Sequence, residues 1–302
     1  PGQGSQIVGM GKDLYNKFDL VKNLFKEADE ALNLPLSKII LEGPSEKLNL
    51  TVNTQPAIYL ISFAIYNLVK KEFDIDLSKA EYFAGHSLGE YSALSSAGYL
   101  NFSETIKLLR IRGDAMQNSV PEGKGGMIAV LGTTVEIIEK ILQENQNNLF
   151  VEIANDNSVG QIVLSGLIED LEKLTKVLKK NNIKNIRLPV SAPFHCKLMN
   201  KATKIMKEKI QKLELKESKN TLISNVTANE VTQNYKLKEL LIDQIENRVR
   251  WRESIIKMID NGVNHFIEIG PGKVLSGLVK RIDKTVKINT INSVSDIQEI
   301  KI

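Results

Sequence analysis

A chain of 302 residues, 42% hydrophobic and 25% charged, carries enough apolar material for a sizeable core and too little charge for a disordered polymer. Its 40 basic and 36 acidic residues leave a net charge of +4 with no Lys/Arg block, which excludes a nucleic-acid footprint and suits an acidic partner or a phosphorylated substrate. The single cysteine, Cys196, excludes an internal disulfide, and the longest mainly apolar segment, Ala57 to Val69, contains Ser62 and Asn67 and is too short to anchor the chain in a membrane.

The sequence opens with proline, and Pro1-Gly2-Gln3-Gly4-Ser5-Gln6 reads as the turn after a strand. It is therefore expected to begin inside a longer protein, so any targeting peptide would lie ahead of it. From Asp13 to Leu32 apolar residues recur at spacings of three and four, predicting an amphipathic helix. Pro35 and the Glu42-Gly43-Pro44-Ser45 cluster mark loops. Thr54 reads as a cap and Pro56 as a first-turn proline for an apolar helix from Ala57 to about Lys71, which leads through Asp74-Ile75-Asp76 to the most informative stretch.

There Tyr82, Phe83 and Ala84 read as a short buried strand and Gly89 to Ala97 as a helix, with Ser87 at the join. Gly85 and Gly89 flank it in the GxSxG pattern of a nucleophile elbow, a reversal so sharp that bulky neighbours would collide. The serine then stands at a helix N-terminus, where free N–H groups favour an oxyanion.

Ser103 reads as the cap of a helix from Glu104 to about Asn118. At about 100° per residue, Leu108, Leu109, Gly113, Ala115 and Met116 share its apolar face, and Arg112 falls in the middle of that face. An arginine is rarely buried without a partner, so Arg112 should meet a protein carboxylate or an anionic ligand. Next come a strand over 127–131, a helix over 135–144, strands over 149–154 and 161–165, a helix over 168–180 and a strand over 184–190. This βαββαβ order is that of a ferredoxin-like unit, entered at Glu122-Gly123-Lys124-Gly125-Gly126 and left at Ser191-Ala192-Pro193. Helices over 198–213, 237–245 and 251–260 then alternate with strands over 221–226 and 266–269, and Gly270-Pro271-Gly272 turns into a last helix reaching about Ile282. The expected fold is α/β: a mostly parallel, helix-covered sheet from residues 1–122 and 192–302, interrupted by a ferredoxin-like subdomain over 123–191.

A serine needs a base, and three histidines are on offer. His86 adjoins Ser87 but points away and is expected to hold the turn; His265 opens an apolar strand and reads as structural. His195 is the best candidate, because Ser191-Ala192-Pro193-Phe194-His195 is an irregular segment at the boundary between the two units, where clefts form. Three scattered histidines and one cysteine show no metal-ligand spacing, and Gly270-Pro271-Gly272-Lys273 lacks the full Walker pattern.

Six motifs stand in a recognisable order: Pro1-Gly2-Gln3-Gly4-Ser5-Gln6, Thr54-Gln55-Pro56-Ala57, Gly85-His86-Ser87-Leu88-Gly89-Glu90, Arg112-Gly113 with Met116-Gln117, Ser191-Ala192-Pro193-Phe194-His195 and Gly270-Pro271-Gly272-Lys273-Val274-Leu275. Across nearly its whole length the chain resembles the malonyl-CoA:acyl-carrier-protein transacylases, acyltransferases of fatty acid and polyketide synthesis. The resemblance implies an α/β-hydrolase-like core with a ferredoxin-like insertion. It also implies Ser87 as nucleophile, His195 as general base and acid, Arg112 as the clamp on the malonyl carboxylate, and Gln3 and Leu88 as backbone oxyanion donors. Gln55 would line the acyl pocket beside Phe194, which should crowd a methylmalonyl group, and the Gln244 carbonyl would orient the histidine. The implied enzyme needs no cofactor, uses malonyl-CoA and an acidic acyl carrier protein, and is expected as a cytoplasmic monomer, with an organellar address left to the missing start. Val159, Cys196 and Arg248 depart from residues common in the family, which bears on loop shape rather than chemistry. The rival readings are a serine esterase or thioesterase using His265, the acyltransferase of a polyketide synthase, and a non-catalytic carrier-protein or coenzyme-binding module.

Overall fold

A computed structural model describes residues 1–73, 75–146, 149–190 and 192–300. Asp74, before the elbow strand, and Ser191, at the exit of the inserted segment, lie outside these residues. Among the described residues the strands are β1 (Tyr82–Phe83), β2 (Gly125–Leu131), β3 (Val151–Ser158), β4 (Gln161–Leu167), β5 (Lys184–Arg187), β6 (Thr221–Ile223), β7 (Glu230–Val231), β8 (His265–Ile269) and β9 (Lys287–Ile291). With the helices between them they make an α/β protein with mixed sheets.

The parallel pairing falls in two places. β1 pairs parallel with β6, to which β7 adds antiparallel, and β8 pairs parallel with β9, a strand the sequence pattern did not reveal. Among the described residues the parallel pairing expected as one sheet is thus found in two pieces, and a cavity of about 490 Å³ is lined by Tyr82, Phe83, Phe266 and Ile267 together with Pro1, the first residue of the sequence. β1 is only two residues long, because the chain must leave the sheet at once to make the elbow.

β2 to β5 form a separate antiparallel sheet in the order β3-β4-β2-β5, with helices Val135–Glu144 and Ile168–Lys180 in the two crossovers. The two-residue period of the strands gives this sheet two apolar faces. Ile128, Val130, Ile162 and Leu164 pack with Ile138, Leu174 and Leu178 of the two helices, while Met127 and Val163, one step out of phase, join the main core. One sheet therefore serves as lid to its own helices and as floor against the larger body.

Three helices depart from expectation. The first is broken at Phe18, whose extended backbone (φ −121°, ψ 122°) separates Lys12–Lys17 from Asp19–Leu32 and lets its ring meet Phe73 edge-on at 5.8 Å. The apolar helix runs Thr51–Glu72, so Thr54 is internal and Pro56 lies inside it. The third, Phe102–Gln117, is capped by Asn101, whose side chain accepts from the Glu104 N–H at 2.9 Å, rather than by Ser103; Phe102 is buried and fixes the first turn two residues earlier. Gly113 lets this helix lie against the start of Thr51–Glu72, since a Cβ there would sit 2.8 Å from Val52 Cα. That approach brings Arg112 beside Gln55.

Candidate active site

The elbow is built as its glycines require. A Cβ at Gly85 would fall on the Gly89 carbonyl, and one at Gly89 would lie 2.7 Å from the Pro1 carbonyl oxygen. Ser87 takes φ 54°, a left-handed conformation that costs a non-glycine residue about 1–3 kcal/mol. Its Oγ lies 2.8 Å from His195 Nε2 and 3.1 Å from Arg112 Nη2. His195, itself at φ 57°, places Nδ1 2.8 Å from the Gln244 carbonyl oxygen. A carbonyl only accepts, so Nδ1 carries the proton and Nε2 offers its lone pair to the Ser87 hydroxyl. Burial, with the Arg112 charge adding to it, pushes His195 down to about 3, so the ring is neutral and its Nε2 lone pair is unprotonated beside the serine.

Arg112 is 1% exposed. Its Nη1 donates to Gln55 Oε1 at 2.7 Å, and Nη2 donates to Gln244 Oε1 at 2.8 Å as well as to Ser87. Nε has no partner among the described residues, and no carboxylate there lies within ion-pair distance of the guanidinium. The charge rests on amide oxygens and a hydroxyl. Nε and Nη2 form one edge of the guanidinium fork, and Nη2 of that edge donates to the serine oxygen.

The Gln3 and Leu88 N–H groups have no protein acceptor among the described residues, and the Gln3 side chain donates to Thr51 Oγ1. Phe194 is buried in the main core, and its carbonyl accepts from Ser165. The structure thus brings Ser87, His195, Arg112, Gln55 and Gln244 into one hydrogen-bonded group. His86 instead donates from Nε2 to Asn157 Oδ1 at 2.8 Å, and His265 lies 2.7 Å from Asn289 Oδ1 across β8 and β9, so neither competes for Ser87. Cys196 is buried, and burial pushes its thiol up to about 12, which leaves it inert.

The chain is similar along nearly its whole length to known proteins. Residues 1–300 match the acyl transferase domain. The chain belongs to the acyl transferase family. The malonyl CoA-acyl carrier protein transacylase of Bacillus subtilis (strain 168) is 44% identical over 301 residues, 99% of this chain and 93% of that protein. The crystal structure of an acyl-carrier-protein S-malonyltransferase from Bartonella henselae superposes with a TM-score of 0.95 at 41% identity, covering 99% of this chain and 95% of that one. A malonyl-transacylase solved in complex with a type II PKS acyl-carrier protein matches with a TM-score of 0.94 at 36% identity over 99% and 96%.

In this acyl transferase a cavity of about 400 Å³ opens onto His195 between Val151, Glu152 and Ile153 of β3 and Asn247, Arg248 and Arg250. The larger cavity beside β1 is lined by neither Ser87 nor His195. Arg248 spans the mouth to Glu139 at 3.0 Å, and Val159 is exposed at the β3–β4 turn. Sequence reasoning missed Glu90, which is 1% exposed and accepts from Gln244 Nε2 at 2.6 Å, and the side-chain role of Gln244 itself. Burial pushes the Glu90 carboxyl up to about 8. A glutamate in the largely apolar stretch Leu88 to Leu94 was the available signal.

Proposed function

We propose that this acyl transferase carries a malonyl group from malonyl-CoA to the thiol of an acyl carrier protein through an ester on Ser87, supplying fatty acid biosynthesis. The observation that carries the reading is one oxygen, Ser87 Oγ, held between a neutral histidine at 2.8 Å and the unneutralised guanidinium of Arg112 at 3.1 Å.

His195 Nε2 takes the Ser87 proton as Oγ attacks the thioester carbonyl. The oxyanion lies against the free N–H groups of Gln3 and Leu88, preorganised donors whose individual loss costs roughly 10²- to 10³-fold in such sites. As the tetrahedral species collapses, the C–S bond breaks and the His195 proton goes to the coenzyme A thiolate. The carrier thiol then attacks the Ser87 ester with the same proton traffic in reverse. The malonyl carboxylate pairs with the Nε–Nη2 edge of Arg112, a planar two-point contact that lysine would not reproduce. Gln55 holds the other edge, Phe194 bounds the acyl pocket, and the Gln244 carbonyl keeps the histidine in its tautomer.

The same reading divides the chain into an α/β-hydrolase-like unit, 1–122 and 192–302, and a ferredoxin-like subdomain, 123–191. The strand order β3-β4-β2-β5 and the separate apolar cluster support the division. It takes the partner as an acidic carrier protein, opposite in sign to the net charge of +4, and the enzyme as a cytoplasmic monomer without a cofactor. Mass spectrometry after brief mixing with malonyl-CoA tests it. A single malonyl adduct on the Ser87 peptide, discharged faster by carrier protein than by water, is expected. Discharge by water at the same rate would move the assignment to a hydrolase.

A further inference from the structure

The ladder between β1 and β6 pairs Tyr82 with Thr221 and Phe83 with Leu222. Continued at the same offset, it sets Asn225 opposite His86. In a parallel ladder the residue opposite a given position donates its N–H to the preceding carbonyl and accepts from the following N–H. Around His86 those groups are the Gly85 carbonyl and the Ser87 N–H.

The main chain of β6 has left by then. Ser224 N–H turns to the Asn229 carbonyl, the Asn225 N–H points to Glu90 Oε1 at 3.4 Å, and the Asn225 carbonyl accepts from Arg250 N–H at 2.9 Å. The side-chain amide occupies the place of the absent peptide. Asn225 Nδ2 donates to the Gly85 carbonyl and Oδ1 accepts from Ser87 N–H, both at 2.7 Å. Asn225 is 1% exposed, so neither bond has water as a substitute.

We propose that Asn225 is a positioning residue for the nucleophile: its amide stands in for a strand peptide and holds Ser87 in the left-handed turn that aims Oγ at His195. The two bonds grip the chain on both sides of His86, the residue where strand becomes elbow. The Ser87 carbonyl is held in turn by Gln244 Nε2 at 3.0 Å, and Glu90 ties the two holders together, accepting from Asn225 N–H and from Gln244 Nε2. Only an amide supplies donor and acceptor at this spacing. Aspartate would keep the Ser87 bond and set an oxygen against the Gly85 carbonyl, while alanine would lose both.

The proposal rests on Ser87 being the acylated residue, and the test separates the two. Rapid-quench acylation by malonyl-CoA, read by intact mass, gives amplitude, rate constant and half-saturating concentration for the wild-type chain and for Asn225→Ala and Asn225→Asp. Asn225→Ala is expected to label to one malonyl per chain with a rate constant about 10²-fold lower, the scale of a displaced reacting group, and a half-saturating concentration within about threefold of wild type. Asn225→Asp, nearly isosteric, should fall between the two and carries the test by itself if the alanine variant does not fold. A rate constant equal to wild type in a folded variant, or a reduced amplitude with an unchanged rate constant, would overturn the positioning role. Absence of the adduct in the wild-type chain would overturn the transacylase reading and the proposal with it.

Discussion

Arg112 Nη2 donates to Gln244 Oε1 at 2.8 Å, and the same glutamine donates from its own Nε2 to Glu90 Oε2 at 2.6 Å. A buried cation and a buried carboxyl thus face each other across one amide, whose dipole is aligned with both. The amide keeps the pair from closing into an ion pair, which would leave the guanidinium neutralised and the malonyl carboxylate without a partner. Gln244 serves the nucleophile as well, through its carbonyl on His195 and its amide on the Ser87 carbonyl.

Arg112→Ala removes the only cation bonded to the serine oxygen among the described residues. A site built around a polar group rejects analogues lacking it by roughly 10⁴-fold, so the malonyl over acetyl preference in kcat/KM should collapse to within about tenfold. Arg112→Lys should recover little of it, because an ammonium cannot present the two-point edge. Parallel kinetics with malonyl-CoA and acetyl-CoA check this; an unchanged preference would remove Arg112 from the pocket.

Glu90 makes a separate, thermodynamic prediction. Its folded pKa, raised to about 8 from 4.5, means the native state holds a proton that the unfolded chain has released, so its contribution to stability is lost as pH rises through 8. His195 and His86 are depressed to about 3 and about 4 from 6.5 and act the opposite way, their contribution being complete only above pH 6.5. Between pH 6.5 and 8 the Glu90 effect therefore stands alone among these three groups. Across that interval the wild-type melting temperature should fall relative to that of Glu90→Gln. Parallel slopes in calorimetry would show that Glu90 does not titrate there.

The elbow was legible because it is local: two glycines, a serine and a strand–helix junction fall within a few residues. Arg112 was legible from helical phase alone; of the two partners burial suggested, a protein carboxylate or an anionic ligand, the first is not met among the described residues, where the guanidinium bonds two amides and a hydroxyl. His195 stood out as an irregular boundary residue, but its distance to Ser87 is a tertiary fact. Asn225 and Glu90 gave no comparable signal. Asn225 reaches Gly85 across 140 residues of sequence and acts through the end of a strand that has already turned away. The missed cap at Asn101 and the break at Phe18 both fall at an aromatic packed against the core, Phe102 buried and Phe18 half-buried, so packing rather than propensity decided where each helix begins.

Gly113→Ala tests the packing that aims the clamp. The new methyl would lie 2.5 Å from the Thr51 carbonyl oxygen and 2.8 Å from Val52 Cα, both backbone atoms that cannot rotate aside. The helices must separate, and overpacking of this kind costs about 1–3 kcal/mol. Arg112 would move away from Gln55, so the variant should lose malonyl preference as well as thermal stability. A stable variant with full preference would mean that the two helices can slide apart without disturbing the guanidinium.

His195 makes the sharpest claim about pH. In the free enzyme its pKa is about 3, with burial the larger cause and the Arg112 charge the second, so kcat/KM should stay flat from about pH 5 to neutrality. Once a malonyl carboxylate sits on Arg112, the second cause is cancelled and the imidazole becomes more basic. The acid limb of kcat, which reports the complex, should therefore lie at higher pH than that of kcat/KM. Acetyl-CoA brings no carboxylate and should show no such separation. His195→Ala should abolish acylation, and His265→Ala, whose imidazole is held by Asn289, should leave it intact. If both profiles bend near 6.5, the histidine is not held neutral by the buried site.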